Sequence, residues 1–308
     1  MPQRFLREFV RYIQKGTDGY IASVCENAAL SKMCTIRVGG IAAARISPRD
    51  IASFAKLLKL THQSGFAYRI LGGGSNVILP DGRFEGVFFS TRELNRVTLC
   101  ENTLIAEAGA SLGACIRTAA SVGLCGLENL YGIPASVGGA VRMNAGAYGR
   151  EIADCLQWTE IFDVETGDIA RLSAEELSLS YRQSRLQKNK RWTLLRACFC
   201  FCRDFSSDIW FRAEQALLKK RLSQPLEHPN AGSVFKRPAP NVEVWRLIDA
   251  CGLRGNFCGG AQISEKHAGF IVNRGGATAK DVSALLTHIQ RRVWEECKIS
   301  LTPEIEFL

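Results

Sequence analysis

The stretch NAGSVFKRP, Asn230 to Pro238, sets one hydroxyl, Ser233, between Gly232 and the apolar pair Val234 and Phe235, then adds two cations, Lys236 and Arg237. A serine after glycine commonly hydrogen-bonds its own backbone in a turn. The stretch alone leaves open whether Ser233 is a loop hydroxyl or takes part in a reaction. Glycine offers a second chemistry. LGGGSNVIL, Leu71 to Leu79, runs Gly72, Gly73 and Gly74 together with Ser75 and Asn76 behind them. Glycine reaches backbone angles that other residues resist, so successive N–H groups can turn toward one anion with no side chain in the way. The spacing is neither G-x-G-x-x-G nor a P-loop. A second stretch, LENLYGIPASVGGAVRMNAGAYG, Leu127 to Gly149, carries Gly132, Gly138, Gly139, Gly146 and Gly149 among small residues. Such a segment has little apolar core of its own and brings backbone close to something flat or charged. Two such loops and a helix start can grip an elongated, pyrophosphate-containing cofactor.

The elements that must position these groups follow from periodicity. AAARIS reads as a strand, PRDIASFAKLLKLTHQSG as a helix opened by proline and closed by Gly65, and AYRIL as the next strand, which together make a βαβ unit ending at the first glycine loop. Gly109 ends a further strand, and SLGACIRTAASVG is a helix closed by Gly123. From Leu156 the pattern turns to strands: LQWTEIFDVETGDIARL, with a hairpin turn near ETGD, and RWTLLRACFCFC. After Ser206 come helix IWFRAEQALLKKRLSQ, the serine loop, helix VEVWRLIDACG, strand AGFIVN, helix TAKDVSALLTHIQRRVWEECK and a closing strand, LTPEIEFL.

Bulk properties narrow the class. With 308 residues, 46% hydrophobic and 22% charged, the chain has the composition of a soluble protein with two or three cores. Phe5, Leu6, Phe9, Val10 and Ile13 mark a helix from Pro2 to Lys15, interrupted by charge too often for a signal peptide or membrane span. A cytoplasmic location is expected. The twelve cysteines are expected to be small buried thiols, not disulfides. Cys198, Cys200 and Cys202 alternate with Phe199 and Phe201, and neither they nor His62, His228, His267 and His288 have metal-ligand spacing, so no metal is expected. The net charge of +9 is spread out and its densest patches lack interleaved aromatics. That favours a small anionic ligand over nucleic acid.

Taken in order, LGGGSNVIL, GIPASVGGAVRMNAGAYG, SYRQS, NAGSVFKRP, GGAQISEKHAGFIVN and LTPEIEFL resemble the UDP-N-acetylenolpyruvoylglucosamine reductase (MurB) family of peptidoglycan synthesis. The resemblance runs from about Ile36 to Leu308, and the short interval from Tyr181 to Ser233 is similar to its type II branch. It implies an α+β protein. A two-subdomain FAD-binding domain of the vanillyl-alcohol-oxidase (PCMH) type would span residues 1–91, with the N-terminal helix, and 92–207. A smaller α/β substrate-binding domain, 208–308, would carry the C-terminal catalytic strand. The implied reaction passes a hydride from NADPH through non-covalently bound FAD to the enolpyruvyl ether of UDP-N-acetylglucosamine enolpyruvate, giving UDP-N-acetylmuramate.

Hydride addition beside a carboxylate pushes charge into an enolate, which needs a preplaced positive or hydrogen-donating group, and the adjacent carbon needs a positioned acid. Carried over from the family, Arg182 of the Y-R-x-S motif and Glu304 act at the carboxylate, and Ser233 donates the proton, with Lys236 or an ordered water as its helper. The resemblance assigns FAD contacts to Leu71, Gly72, Gly73, Gly74, Ser75, Asn76, Gly109, Gly132, Ile133, Pro134, Ser136, Gly138, Gly139, Asn144, Gly146 and Ala147. It assigns substrate contacts to Tyr181, Arg221, Lys236 and Arg237. Arg237 departs from the asparagine common in the longer branch, and Ala135 stands where glycine is frequent. The UDP-sugar and NADPH are the expected partners, with no nucleic acid, no membrane insertion and a monomeric state. Two other readings remain: a flavin-dependent sugar or alcohol oxidase of the same fold, and a basic nucleotide-binding module without catalysis.

Overall fold

The computed structural model describes residues 6, 8–11, 13 and 21–308. It divides into two compact units, and the division is not sequential. One holds residues up to Asn27, Ala43–Gly73 and Glu85–Lys219; the other gathers Ala28–Ala42, Gly74–Phe84 and Lys220–Leu308. Elements are numbered along the chain.

In the first unit a four-stranded sheet has the order β1 (Ala22–Ala29), β2 (Ile41–Pro48), β5 (Arg83–Ser90), β3 (Tyr68–Leu71). The predicted β2 and β3 are therefore not neighbours: β5 lies between them, and β3 pairs with it in parallel. Helix α1 (Ile51–Gln63) buries Phe54, Leu57, Leu58 and Thr61, a stripe at helical spacing, against Ala44, Ile46, Val87 and Phe89 of the sheet. Pro48 does not open this helix as expected. It ends β2, and Asp50 is the N-cap, its carboxylate accepting from the Ser53 N–H at 2.7 Å. Leu6, Val10 and Ile13 join the same core. The rest of the helix expected from Pro2 to Lys15 lies outside the described residues, apart from helical Glu8, Phe9 and Arg11.

A second sheet in this unit is antiparallel, in the order β12 (Ile169–Ser173), β11 (Leu156–Asp163), β13 (Trp192–Cys200), β7 (Thr103–Glu107), β6 (Val97–Cys100). Asp163 Oδ1 accepts from the Glu165 N–H at 3.0 Å and Gly167 has φ +83°, which closes the β11–β12 hairpin where ETGD marked it. Packed on the sheet are α2 (Leu112–Ser121) and α3 (Val137–Arg142), which bury Leu112, Ile116, Val137 and Val141 with Leu104, Ala106 and Phe199. The second glycine stretch thus contains a short helix that its small residues concealed. Shorter pieces are β8 (Leu124–Cys125), β9 (Gly146–Ala147), β10 (Arg150–Glu151), α4 (Arg185–Lys188) and β14 (Cys202–Arg203). Helix α5 (Ser206–Ser223) runs past the division at Lys219.

The second unit is built on an antiparallel sheet, β15 (Asn230–Ser233), β18 (Phe270–Asn273), β17 (Ala261–Ile263), β16 (Phe257–Cys258), with α6 (Val244–Ala250) and α7 (Ala279–Cys297). Thr278 and Asp281 form a capping box at the start of α7. A separate two-stranded ribbon pairs β4 (Val77–Ile78) with β19 (Glu306–Phe307) in parallel. The expectation of uniformly buried cysteines fails. All twelve are free thiols, but Cys25, Cys100 and Cys202 are exposed and four more are half-buried, because the strands carrying Cys100 and Cys202 end at the surface.

Candidate active site

Ser233 is not in a loop, as its glycine neighbour suggested, but ends strand β15, where it is exposed and opposite Phe270. Between the pairs Asn230–Val272 and Ser233–Phe270 the strand carries one residue more than its partner, a β-bulge. Gly232 takes that bulge at φ +82°, its N–H donating to Asn230 Oδ1 at 3.0 Å. The Asn230 amide in turn donates to the carbonyls of Pro225 and His228. A bulge re-aims the side chain that follows it, and here that side chain is the serine hydroxyl.

Glu304 comes just before β19, not on it. Its N–H donates to the Val234 carbonyl at 2.9 Å, Phe235 bridges Pro303, and the Lys236 N–H donates to the Thr302 carbonyl at 2.9 Å. The segment with Glu304 therefore runs beside the residues that follow Ser233. On its other side Asn76 Nδ2 donates to the Glu304 carbonyl at 3.1 Å, and the Glu306 N–H donates to the Asn76 carbonyl at 3.0 Å. Thr35, which the sequence gave no reason to single out, joins the same knot: its Oγ1 donates to the Asn230 carbonyl at 2.6 Å and its N–H to the Gly74 carbonyl at 2.9 Å. Gly74 has φ +68°, and a Cβ there would overlap the Met33 carbonyl. Among the described residues the N–H groups of Gly74 and Ser75 find no acceptor, so both can donate to an anion. Lys236 is half-buried. Arg237 is exposed, with Nη1 3.8 Å from the Glu243 carboxylate. Arg221 is exposed near the end of α5, and its carbonyl accepts from Lys266 Nζ at 2.7 Å.

In the first unit Leu71 ends β3, and Gly72 and Gly73 run against Pro134 to Ser136. A Cβ on Gly72 would overlap Ser136 Oγ, and one on Gly73 would come within 3.0 Å of the Pro134 carbonyl. Ser136 Oγ accepts from Gly73 N–H at 3.3 Å and, as N-cap of α3, from Gly139 N–H at 3.4 Å. Gly109 lacks room for a side chain because of the Thr91 carbonyl, and at Gly138 a Cβ would sit tightly, 3.1 Å from the Ala108 carbonyl. All four glycines are crowded by the chain itself, Gly72 and Gly109 to the point of overlap. Gly139 is different: it is exposed, and a Cβ there would touch only Ser136 Oγ, at 3.5 Å. Close to it in sequence are exposed Pro134, half-buried Ile133 and half-buried Gly132 at φ +86°.

Arg182 is held at its base and its tip. Its backbone sits at φ +54°, and its guanidinium donates to the carbonyls of Asn144 at 3.3 Å and Gly146 at 2.8 Å, while lying 5.2 Å from the centre of the exposed Tyr181 ring. Asn144, also left-handed at φ +42°, is fully buried. Its Nδ2 donates to the Ser180 carbonyl at 3.1 Å and its Oδ1 accepts from Ala153 N–H at 3.0 Å. It braces the turn that carries Arg182. Ser184 Oγ, donating to the Arg142 carbonyl at 2.6 Å, ties that turn to α3. Gly146 and Ala147 form β9 against β10. Asparagine tolerates left-handed backbone better than most residues, which suits Asn144 to this turn, whereas the sequence offered it only as an FAD contact implied by the resemblance.

One residue stands out electrostatically. Lys220 on α5 is buried, and burial alone pushes its ammonium down to about 8. No group of three or more His, Cys, Asp or Glu that could hold a metal occurs among the described residues.

Two family models match: an FAD binding domain over residues 42–173 and the C-terminal domain of UDP-N-acetylenolpyruvoylglucosamine reductase over residues 224–308. The chain is 40% identical over 288 residues to the UDP-N-acetylenolpyruvoylglucosamine reductase of Carboxydothermus hydrogenoformans, covering 92% of this chain and 94% of that one. It is 40% identical over 303 residues to the enzyme of that name from Caldicellulosiruptor bescii, covering 98% and 94%. Among solved structures, UDP-N-acetylenolpyruvylglucosamine reductase (MurB) from Thermus caldophilus superposes with a TM-score of 0.78 at 34% identity, covering 93% of this chain and 98% of that one.

Proposed function

The chain belongs to the UDP-N-acetylenolpyruvoylglucosamine reductase family, and from that premise we propose that it reduces UDP-N-acetylglucosamine enolpyruvate to UDP-N-acetylmuramate, with NADPH as electron donor and FAD bound non-covalently. The FAD supplies hydride transfer to the enolpyruvyl double bond. The observation that carries the assignment of roles is the hydrogen bond from Glu304 N–H to the Val234 carbonyl, which keeps a carboxyl-bearing residue beside the strand that ends in Ser233.

Ser233, exposed after its bulge, gives its proton to the carbon next to the substrate carboxylate. Lys236, three residues further on, lowers the cost of the alkoxide left behind. Glu304 orients the substrate carboxylate, and Arg182 stabilises the charge that gathers there as the enolate forms. Its anchoring to two carbonyls keeps the guanidinium in place before that charge arrives. Gly132, Ile133, Pro134 and Gly139 of the first unit would hold the FAD, and in the second unit the N–H groups of Gly74 and Ser75 are available to an anion. Arg221, Lys236, Arg237 and Tyr181 serve the UDP-sugar. Subdomains over residues 1–91 and 92–207 bind the cofactor, and residues 208–308 bind substrate. The protein works as a monomer in the cytoplasm without nucleic acid. Among the described residues no helix is long and apolar enough to cross a membrane.

The test is stopped-flow absorbance of the holoenzyme without oxygen. NADPH should bleach the flavin, and UDP-N-acetylglucosamine enolpyruvate should then restore the oxidised spectrum. Reoxidation by oxygen alone would favour a sugar or alcohol oxidase.

A further inference from the structure

Cys125 and Cys202 stand directly opposite one another where β8 and β14 pair antiparallel. Two residues along, Asp204 N–H donates to the Gly123 carbonyl at 3.0 Å. Hydrogen-bonded and non-hydrogen-bonded pairs alternate in such a ladder, so the cysteine pair is of the hydrogen-bonded kind, with Cα atoms about 5.5 Å apart and side chains on one face. Disulfides span Cα separations of roughly 4.4–6.8 Å, which this pair meets, and Cβ separations of about 3.5–4.5 Å, so closing the bridge must draw the two strand ends together by about 1 Å. The two thiols differ in access: Cys202 is exposed and Cys125 half-buried. A third sulfur, that of buried Cys155, lies against the backbone of Gly126, where an added Cβ would overlap it.

We propose that Cys125 and Cys202 are a thiol–disulfide modification site that takes small-molecule disulfides, with Cys202 the attacking thiol and Cys125 the resolving one. The Cys202 thiolate attacks one sulfur of the reagent, whose S–S bond breaks, and the departing thiolate takes up the proton that Cys202 lost. Cys125 then attacks the Cys202 sulfur of the mixed disulfide, and the second reagent thiol leaves with the Cys125 proton. Two protein thiols are oxidised and one small disulfide is reduced to two thiols, with no other oxidant.

Exposure and electrostatics set the order of events. Burial first, then the carboxylates of Glu128 and Asp204, push the Cys125 thiol up, and burial pushes Cys155 up to about 12. Both hold their protons more tightly than a free thiol and so are poor initiators of exchange, because thiolate and not thiol is the nucleophile. Cys155 is the more suppressed of the two and has no partner in ladder register. The other close pair, Cys251 at the end of α6 and Cys297 at the end of α7, has no exposed member to meet a reagent. The Cys125–Cys202 bridge would pin β14 to β8 next to Arg212, which donates to Glu128 at 2.8 Å and to Asp204 at 2.7 Å and so ties α5 to the segment leading into Gly132.

The experiment exposes the holoenzyme to oxidised glutathione over a range of ratios to the reduced form, blocks remaining thiols by alkylation, and maps peptides by mass spectrometry. The expected result is an intact mass lower by two hydrogens, a Cys125–Cys202 cross-linked peptide that dithiothreitol cleaves, and the same peptide in Cys155→Ser. In Cys125→Ser the reaction should stop at a glutathione adduct on Cys202. The proposal is overturned if Cys202 is alkylated as a free thiol throughout, if wild type stops at the adduct, or if Cys202 is joined to Cys155. Wild-type mapping decides the matter even where a variant does not fold.

Discussion

Replacing Lys220 with methionine removes an ammonium that the fold buries without a counter-charge. Its surface is 6% exposed, and burial alone moves its ammonium from 10.5 to about 8. At roughly 1.4 kcal/mol per pKa unit, that displacement corresponds to a destabilisation of about 3 kcal/mol at neutral pH. The direction with pH is fixed. A folded-state pKa below the unfolded one means that between about 8 and 10.5 the unfolded chain binds more protons, so stability rises with pH across that window. Below pH 8 the whole penalty is present; above about 10.5 it is gone. Lys220→Met, which keeps most of the apolar stem, should therefore be more stable than the parent at pH 7 by up to about 3 kcal/mol. The advantage should stay constant down to pH 6 and fade from pH 8 to 10. Urea unfolding of both apoproteins at one-unit pH steps measures it. An advantage independent of pH, or a variant less stable at pH 7, would refute the reasoning, because either requires the ammonium to reach water or a carboxylate.

Ser233→Ala should leave flavin reduction by NADPH intact and slow reoxidation by the enolpyruvyl substrate at least ~100-fold, the scale of a lost general acid; equal reoxidation rates would return Ser233 to a structural role. Arg182→Lys should keep the charge but lose the two-carbonyl anchorage, lowering the reoxidation rate by about 10-fold or more while NADPH reduction holds; single-turnover measurements separate the two. Gly72→Ala should destabilise the protein by about 1–3 kcal/mol and weaken FAD retention, since its Cβ would overlap Ser136 Oγ; thermal melts and released-flavin fluorescence test it. Thr278→Ala should cost about 1 kcal/mol through the lost cap of α7 without altering either half-reaction.

The elements that could be read from the chain are those whose signals are local. Phe54, Leu57, Leu58 and Thr61 announce α1 by spacing alone, and Thr278 with Asp281 announces α7. Gly167 marks the β11–β12 turn. Ser233 was misplaced in a loop because Gly232 and Asn230 look like turn residues, whereas the strand they form depends on Phe270 and Val272, distant in sequence. The two-residue strand β4 carries no periodicity and only its pairing defines it, while the closing strand read over LTPEIEFL shortens to Glu306–Phe307. The glycines were half legible. Crowding shows in their identity, but whether chain or ligand crowds them does not, and at Gly72, Gly109 and Gly138 it is chain. Lys220 could not be told from Lys219 beside it, since burial is a property of the folded neighbourhood.

The interleaving of the two units sets a schedule for synthesis. Ala28–Ala42 and Gly74–Phe84 belong with Lys220–Leu308, so they leave the ribosome long before the segment that completes their unit. Roughly 135 residues intervene, about 7 to 27 s at ordinary translation rates of about 5–20 residues per second. Throughout that wait Leu30, Ile36, Val38 and Leu79, all buried in the finished protein, have only each other's segments for cover, Leu30 and Leu79 both lying against Gly39. Slower translation or a faster-growing cell would shift the burden on holding chaperones, and aggregation during expression should track the length of that interval more than the stability of the completed molecule.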